Sequence, residues 1–189
     1  MPPAAPVTYE QYLEREIASG TKHEYIAGVV YAMAGGTPEH ARLQANVTAA
    51  LVSALRGRPC AVFSSHLRVR IEATDRATYP DITVVCGSME TSASDRHAVT
   101  NPKLLVEVTS ESTEADDRGD KFAHYRHIPS LAEYVLVSGR TQRIEVWRRN
   151  ERDRWELAEE GTPGASLALA SVGAHLDVAT LYDNPLTPT

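Results

Sequence analysis

Tyr79-Pro80-Asp81-Ile82-Thr83-Val84-Val85 is followed, across a polar loop, by Leu104-Leu105-Val106-Glu107-Val108. Both runs are short, apolar and rich in β-branched residues, the pattern of strands buried on both faces. Each carries one carboxylate, Asp81 at the mouth of its strand and Glu107 inside its own. Burying an unpaired carboxylate costs several kcal/mol, so folding alone rarely puts one there. Alternation along the second run lets Glu107 leave the face occupied by Val106 and Val108.

Elements on either side extend the pattern. An acidic loop over 111–117 leads into Asp117-Arg118-Gly119-Asp120-Lys121-Phe122. Asp117 and Asp120 are capping candidates for a helix whose apolar face is Phe122, Tyr125 and Ile128, stopped by Pro129. Upstream, 61–63 reads as a strand, and Leu67, Val69 and Ile71 alternate with Arg68 and Arg70 in another. Residues 75–78 read as a turn and 87–101 as a polar loop. Thr37 and Pro38 open a long helix with Leu43, Val47, Leu51 and Ala54 on one face, ended by Gly57 and Pro59. His23–Ile26 and 29–33 flank Ala27-Gly28 as a hairpin, and Gly35-Gly36 breaks its second strand. Thr8 with Gln11 forms a capping box for a first helix carrying Tyr9, Tyr12, Leu13 and Ile17, ended at Ser19-Gly20. Strands at 134–137 and 143–147, with a turn at Ser138-Gly139, an edge strand at 155–158, a helix end after Thr180 and a Pro/Thr terminus complete the chain. The order predicts an α/β fold: a mixed central β-sheet flanked by helices, with an added N-terminal helix and β-hairpin.

A chain of 189 residues, 42% hydrophobic and 23% charged, suits one domain, with its core over about 8–182. Its net charge of −6 argues against a surface coated for non-specific duplex binding, while leaving room for a local basic groove. Cys60 and Cys86 read as reduced thiols, with a disulfide or metal role as the alternatives. The first six residues lack the basic-then-apolar order of a signal peptide, and no apolar run approaches the ~20 residues of a membrane helix. The cytoplasm and no membrane are therefore expected.

Two carboxylates on neighbouring strands, a backbone carbonyl and several waters make a site for Mg²⁺ or Mn²⁺. Such an ion polarises a phosphodiester and acidifies a bound water, and Lys121 is placed to stabilise the developing charge. The plain alternatives are Asp81 as a strand-end turn residue, Glu107 in a buried ion pair, and Lys121 solvated. Glu24 is a further candidate, as metal ligand or water-orienting group, or else paired with a neighbouring Lys or Arg on an exposed strand face. His40 and Gln44, one helical turn apart, present either a polar patch to the site or a solvated face. Tyr125 either holds Lys121, touches substrate, or packs in the core. Arg56, Arg58, Arg68 and Arg70 are candidates for facing a phosphate backbone. The six arginines over 140–154 are interspersed with Glu145, Glu151 and Asp153 and read as a mixed solvated surface. His124 and His127 lack a third zinc ligand nearby, the acidic run over 111–120 lacks calcium-loop spacing, Ser64-Ser65-His66 lacks a nucleophile context, and there is no Walker loop.

Tyr79-Pro80-Asp81, Leu104-Leu105-Val106-Glu107-Val108 and Asp117-Arg118-Gly119-Asp120-Lys121-Phe122 with Tyr125-Arg126 resemble the Uma-type endonucleases of bacteria. That family belongs to the PD-(D/E)XK, restriction-endonuclease-like superfamily. His23-Glu24-Tyr25-Ile26-Ala27-Gly28 and Phe63-Ser64-Ser65 extend the resemblance, which runs from about Thr8 to Tyr182. It implies a four-stranded mixed sheet between helices, Asp81 and Glu107 as metal ligands, and a Mg²⁺- or Mn²⁺-dependent endonuclease acting on DNA as a homodimer. One departure is specific. The superfamily lysine usually stands two residues after the glutamate, where this chain has Thr109, and the resemblance assigns the role to Lys121 on the next helix. The alternative is a non-catalytic nucleic-acid- or protein-binding module on the same fold.

Overall fold

The computed structural model describes residues 6–33 and 35–186. The expectations for residues 1–5 and for the Pro/Thr tail beyond Leu186 lie outside that range.

Helix α1 (Tyr9–Ala18) starts with both halves of the capping box formed between Thr8 and Gln11. Its buried residues are Tyr9, Tyr12 and Glu16, whereas Ile17 is 76% exposed and is not part of the apolar face. Strands β1 (His23–Ile26) and β2 (Val29–Ala32) form the expected hairpin. Ala27 and Gly28 both take positive φ there, the backbone a tight two-residue turn requires. Helix α2 (Pro38–Ala54), capped by the Thr37 side chain, buries Leu43, Val47 and Leu51 as a single stripe.

Strands β3 (Cys60–Ser64) and β4 (Arg68–Ile71) follow. The expected turn at 75–78 is instead mostly strand. A 3₁₀ turn at Glu72–Thr74 and left-handed Asp75 reverse the chain, and Arg76–Thr78 forms β5 against β4. Strands β6 (Ile82–Cys86) and β8 (Leu104–Thr109) are the two carboxylate-bearing runs, with the short β7 (Ala98–Val99) between them. The expected single helix is split into α3 (Glu114–Arg118) and α4 (Asp120–Tyr125). Neither Asp117 nor Asp120 is an N-cap. Asp117 lies within α3, and no side-chain cap bond starts either helix. Strands β9 (Glu133–Ser138), β10 (Ile144–Arg149) and β11 (Trp155–Gly161) come next. A hairpin of β12 (Ser166–Leu169) and β13 (Ala174–Asp177) precedes α5 (Val178–Tyr182).

The central sheet has six strands in the order β11-β10-β9-β8-β6-β3, rather than the four that the resemblance implied. It is mixed: β8 and β9 run parallel and the other pairs antiparallel. The N-terminal hairpin is not a simple addition, because β2-β1-β5-β4-β7 form a second, five-stranded sheet. One face of the central sheet, with Val84, Val106, Val135 and Val146, packs on α2, the β12–β13 hairpin and α5. The other face, with Val85, Leu105 and Leu136, packs on Val69 and Ile71 of the second sheet and on Phe122 and Tyr125 of α4. Tyr9 and Tyr12 of α1 cover the far side of the second sheet against Tyr25 and Ala77.

Covering both faces of the second sheet explains a misreading. Arg68 and Arg70 alternate with Val69 and Ile71 as a half-solvated strand would, yet all four are buried. Arg68 Nε donates to Asp95 at 2.7 Å and Arg68 Nη1 to the Tyr79 hydroxyl at 2.7 Å. Arg70 lies over the Tyr9 ring at 3.9 Å and pairs with Asp75 at 2.5 Å. Neither guanidinium is available to a phosphate backbone, so that expectation is corrected.

Cys60 and Cys86 are also corrected. They are register partners across β3 and β6 and form a disulfide rather than two reduced thiols. Their direct cross-strand opposition puts the two side chains within bonding reach.

Candidate active site

Asp81 stands immediately before β6, and Glu107 is central in β8, the neighbouring antiparallel strand. Each is fixed by the other's strand. The Asp81 N–H donates to Glu107 Oε2 at 3.2 Å, and the Val108 N–H donates to Asp81 Oδ2 at 2.8 Å. Val106 and Val108 face the α2 side, which sends Glu107 to the opposite face beneath α4. There the Tyr125 hydroxyl donates to Glu107 Oε1 at 2.7 Å. Glu107 is only 2% exposed.

Helix α2 closes the other side of Asp81. His40 Nε2 lies 3.1 Å from Asp81 Oδ2, and Gln44 Nε2 donates to the Asp81 carbonyl at 2.9 Å. The i, i+4 pair therefore faces the site. Tyr79, two residues before Asp81, donates to Glu16 Oε1 at 2.7 Å and accepts from Arg68. The buried arginine thus helps fix where the Asp81 strand begins.

Lys121, from the first turn of α4, places Nζ 2.9 Å from Asp117 Oδ1 and 3.6 Å from Glu107 Oε1. Asp117 is 2% exposed, a buried partner of Lys121 rather than the capping residue that the sequence pattern suggests. Its signal was its place four residues before Lys121, a helical ion-pair spacing. Gly119, between the two helices, leaves no room for a side chain: a Cβ there would lie 2.8 Å from the Ala115 carbonyl oxygen. Glu24 faces the same cavity. It is held by Arg76 at 2.9 Å and by the Thr78 hydroxyl, and is buried rather than on an exposed strand face.

These groups line one cavity of about 640 Å³ that holds Glu24, His40, Asp81, Glu107, Asp117 and Lys121. Its electrostatics follow from several carboxylates sharing one ammonium. Burial pushes the Glu107 carboxyl well above the ordinary glutamate range, Lys121 opposes the shift, and Asp81 and Asp117 add to it. Burial likewise raises Asp117, with Lys121 pulling it back. For Lys121, burial disfavours the charged form, but Glu107 and Asp117 outweigh burial and it holds its proton more tightly than usual. The hydrogen bond to Asp81 raises His40 against the effect of burial.

The donor set suits a hard divalent cation. Asp81 and Glu107 supply carboxylate oxygens, and excess negative charge in a low-dielectric cavity is what such an ion relieves. Among the described residues no group of three or more His, Cys, Asp or Glu is arranged so that it could hold a metal ion by itself. Two protein carboxylates with the remaining positions left to water is the arrangement Mg²⁺ tolerates.

Residues 9–179 match the Uma2 family, described as "Putative restriction endonuclease". The chain belongs to that family. Its relatives include the "Uncharacterized protein slr1290" of Synechocystis sp., 35% identical over 183 residues, 95% of each chain. A second, "Uncharacterized protein sll1609" of the same organism, is 33% identical over 153 residues, covering 81% of this chain and 86% of that one. The Uma2 fold also matches a crystal structure from Anabaena variabilis described as "a putative nuclease belonging to DUF820". The TM-score is 0.74 at 20% identity, covering 94% of this chain and 98% of that one. The α/β expectation, a mixed sheet flanked by helices of the restriction-endonuclease-like kind, is met. No described helix is long and apolar enough to cross a membrane.

Proposed function

We propose that this Uma2 protein is a metal-dependent endonuclease that hydrolyses phosphodiester bonds in DNA, with Asp81, Glu107 and Lys121 as its catalytic residues. The observation that carries the reading is the interlock of Asp81 and Glu107 across β6 and β8, with Lys121 at 3.6 Å from Glu107. Asp81 and Glu107 would hold the ion, Mg²⁺ or Mn²⁺. When bound, it supplies Lewis acidity at the scissile phosphate and a more acidic water.

The chain's own residues do the rest. The backbone N–H groups of Asp81 and Val108 fix the two carboxylates against each other, and His40, Gln44 and Tyr125 fix their outer sides. Such supporting contacts keep ligands oriented and commonly matter about 10- to 100-fold for metal affinity or activity. Lys121 keeps its positive charge beside the carboxylates and donates toward a phosphate oxygen as charge develops there. Asp117 positions that ammonium. Glu24, clamped by Arg76 and Thr78, presents a carboxylate that can accept a hydrogen bond from a water in the cavity.

Calorimetric titration of EDTA-stripped protein with Mn²⁺ tests the metal half of the reading. One binding event, weakened in both Asp81→Ala and Glu107→Ala, supports it. Affinity unchanged in both variants removes these carboxylates as ligands.

A further inference from the structure

The chain has eight tyrosines, and seven of them are buried with their hydroxyl groups hydrogen-bonded to protein. Tyr31 is the exception. It stands on β2, an edge strand of the second sheet, with 51% of its surface exposed and no side-chain hydrogen bond or ring contact among the described residues. It is also the register partner of Glu24, and both line the acidic cavity. An aromatic ring without a partner, at the lip of a catalytic cavity, offers a free π-face.

The two walls of that cavity differ. The wall after β8 carries Ser110, Ser112 and Asp116, which are polar or charged. The wall at β2 carries Tyr31, Met33 and Gly35-Gly36, which are uncharged. Lys121 is the one Lys or Arg among the described lining residues, and its ammonium is engaged by Asp117 and Glu107. Arg68 and Arg70 are buried away in ion pairs. Arg56 and Arg58 are exposed but are not among the cavity's lining residues, so with a net charge of −6 the cavity itself has little means of gaining affinity by neutralising a run of duplex phosphates. Affinity for a nucleic acid must then come from the cation and from contacts to bases.

We propose that Tyr31 stacks on an unpaired base beside the scissile phosphate, so that the preferred substrate is single-stranded or locally unpaired nucleic acid. This inference rests on the nuclease reading and specifies its substrate class. In a duplex the base faces are already stacked on their neighbours, and exposing one to Tyr31 costs unstacking energy. In a single strand every base offers a face, and stacking on an aromatic side chain is tolerant of sequence. Met33 and the two glycines leave the adjoining wall uncharged and narrow in side-chain bulk, as a flat base requires.

The test uses a short single-stranded DNA carrying 2-aminopurine, and its duplex, against wild type, Tyr31→Phe and Tyr31→Ala. Cleavage is followed in Mn²⁺, and 2-aminopurine quenching in Ca²⁺. The single strand should be cut in preference to the duplex. Tyr31→Ala should raise KM by about 5- to 150-fold with kcat within about twofold, and Tyr31→Phe should behave as wild type. Quenching should occur with wild type and Tyr31→Phe and be lost with Tyr31→Ala. Equal cutting of duplex and single strand, or kinetics and quenching indifferent to Tyr31→Ala, overturns this inference while leaving the nuclease reading in place. Loss of quenching in Tyr31→Ala, in a protein that cuts nothing, keeps the stacking role and overturns the nuclease reading. No quenching with wild type overturns the stacking role outright.

Discussion

Replacing Lys121 with Met keeps the length and apolar stem of the side chain and deletes the ammonium 2.9 Å from Asp117 and 3.6 Å from Glu107. Both carboxylates are almost inaccessible to water, so neither regains hydration when the cation is lost. The folded variant compensates for the missing charge by taking up one proton, whereas the unfolded chain, with ordinary carboxyl values, does not. Holding a carboxyl of ordinary value 4.5 protonated at pH 7 costs about 3.4 kcal/mol, at ~1.36 kcal/mol per pH unit. The sign follows from proton counts. The folded carboxyl titrates above the unfolded one, so stability is fully present below pH 4.5 and is lost as pH rises through the folded value. Because Glu107 is already raised in wild type, part of that cost is common to both proteins, so Lys121→Met should be less stable than wild type by at most about 3 kcal/mol at pH 7, and by less than about 1 kcal/mol at pH 5. Urea unfolding in EDTA at the two pH values reads this directly. A deficit of the same size at both would refute the idea that Lys121 compensates buried carboxylates, and would leave lost packing as the cause.

Other consequences concern residues that the sequence misassigned. Arg68→Met strands the buried Asp95 and should cost about 3–5 kcal/mol in urea unfolding. The same variant, when folded, should keep its oligonucleotide affinity and salt slope; a slope reduced by about one would restore Arg68 as a phosphate contact. Removing the Cys60–Cys86 link with a paired Cys→Ser variant should destabilise by about 3.5 kcal/mol for the 26-residue separation, and dithiothreitol on wild type should reproduce the shift. Gly119→Ala should drive a methyl group against the Ala115 carbonyl and displace Lys121 from Asp117. More than a tenfold loss of activity, on the order of what misplacing a catalytic group costs, should show in kcat.

Much of the fold was legible because its signals are local. The Thr8–Gln11 capping box, the Ala27-Gly28 turn, the Leu43–Val47–Leu51 stripe and the two buried strands each need only their own sequence neighbourhood. What was misread depends on which other layer covers an element. Alternation in Arg68-Val69-Arg70-Ile71 signals two unlike faces, but not that α1 lies over the polar one, with Arg68 and Arg70 in interior ion pairs against its tyrosines. Likewise, Asp117 sits in an acidic run whose composition suits capping, and only its burial in the cavity beside Lys121 shows its other role. The β12–β13 hairpin is hard to read in sequence because each strand has only four residues, too few for the alternation of Leu167 and Leu169, or of Ala174 and Leu176, to stand out. The disulfide required the β3–β6 register, which no spacing of two cysteines specifies. Within the cavity, Asp81, Glu107 and Lys121 are legible because unexplained charge in or beside an apolar run is visible in sequence. The supports from Gln44, Tyr125 and Asp117 took definite roles only with the fold.

Cleavage is the most direct measurement: single-stranded and supercoiled DNA with Mg²⁺ or Mn²⁺ against EDTA, for wild type beside Asp81→Ala, Glu107→Ala and Lys121→Ala. The account predicts cutting by wild type that EDTA abolishes and that each substitution reduces by at least about 100-fold, as loss of a group stabilising the transition state does. Cutting that persists in EDTA or survives in the Asp81 and Glu107 variants would contradict it, as would a metal-loaded wild type that cuts neither substrate.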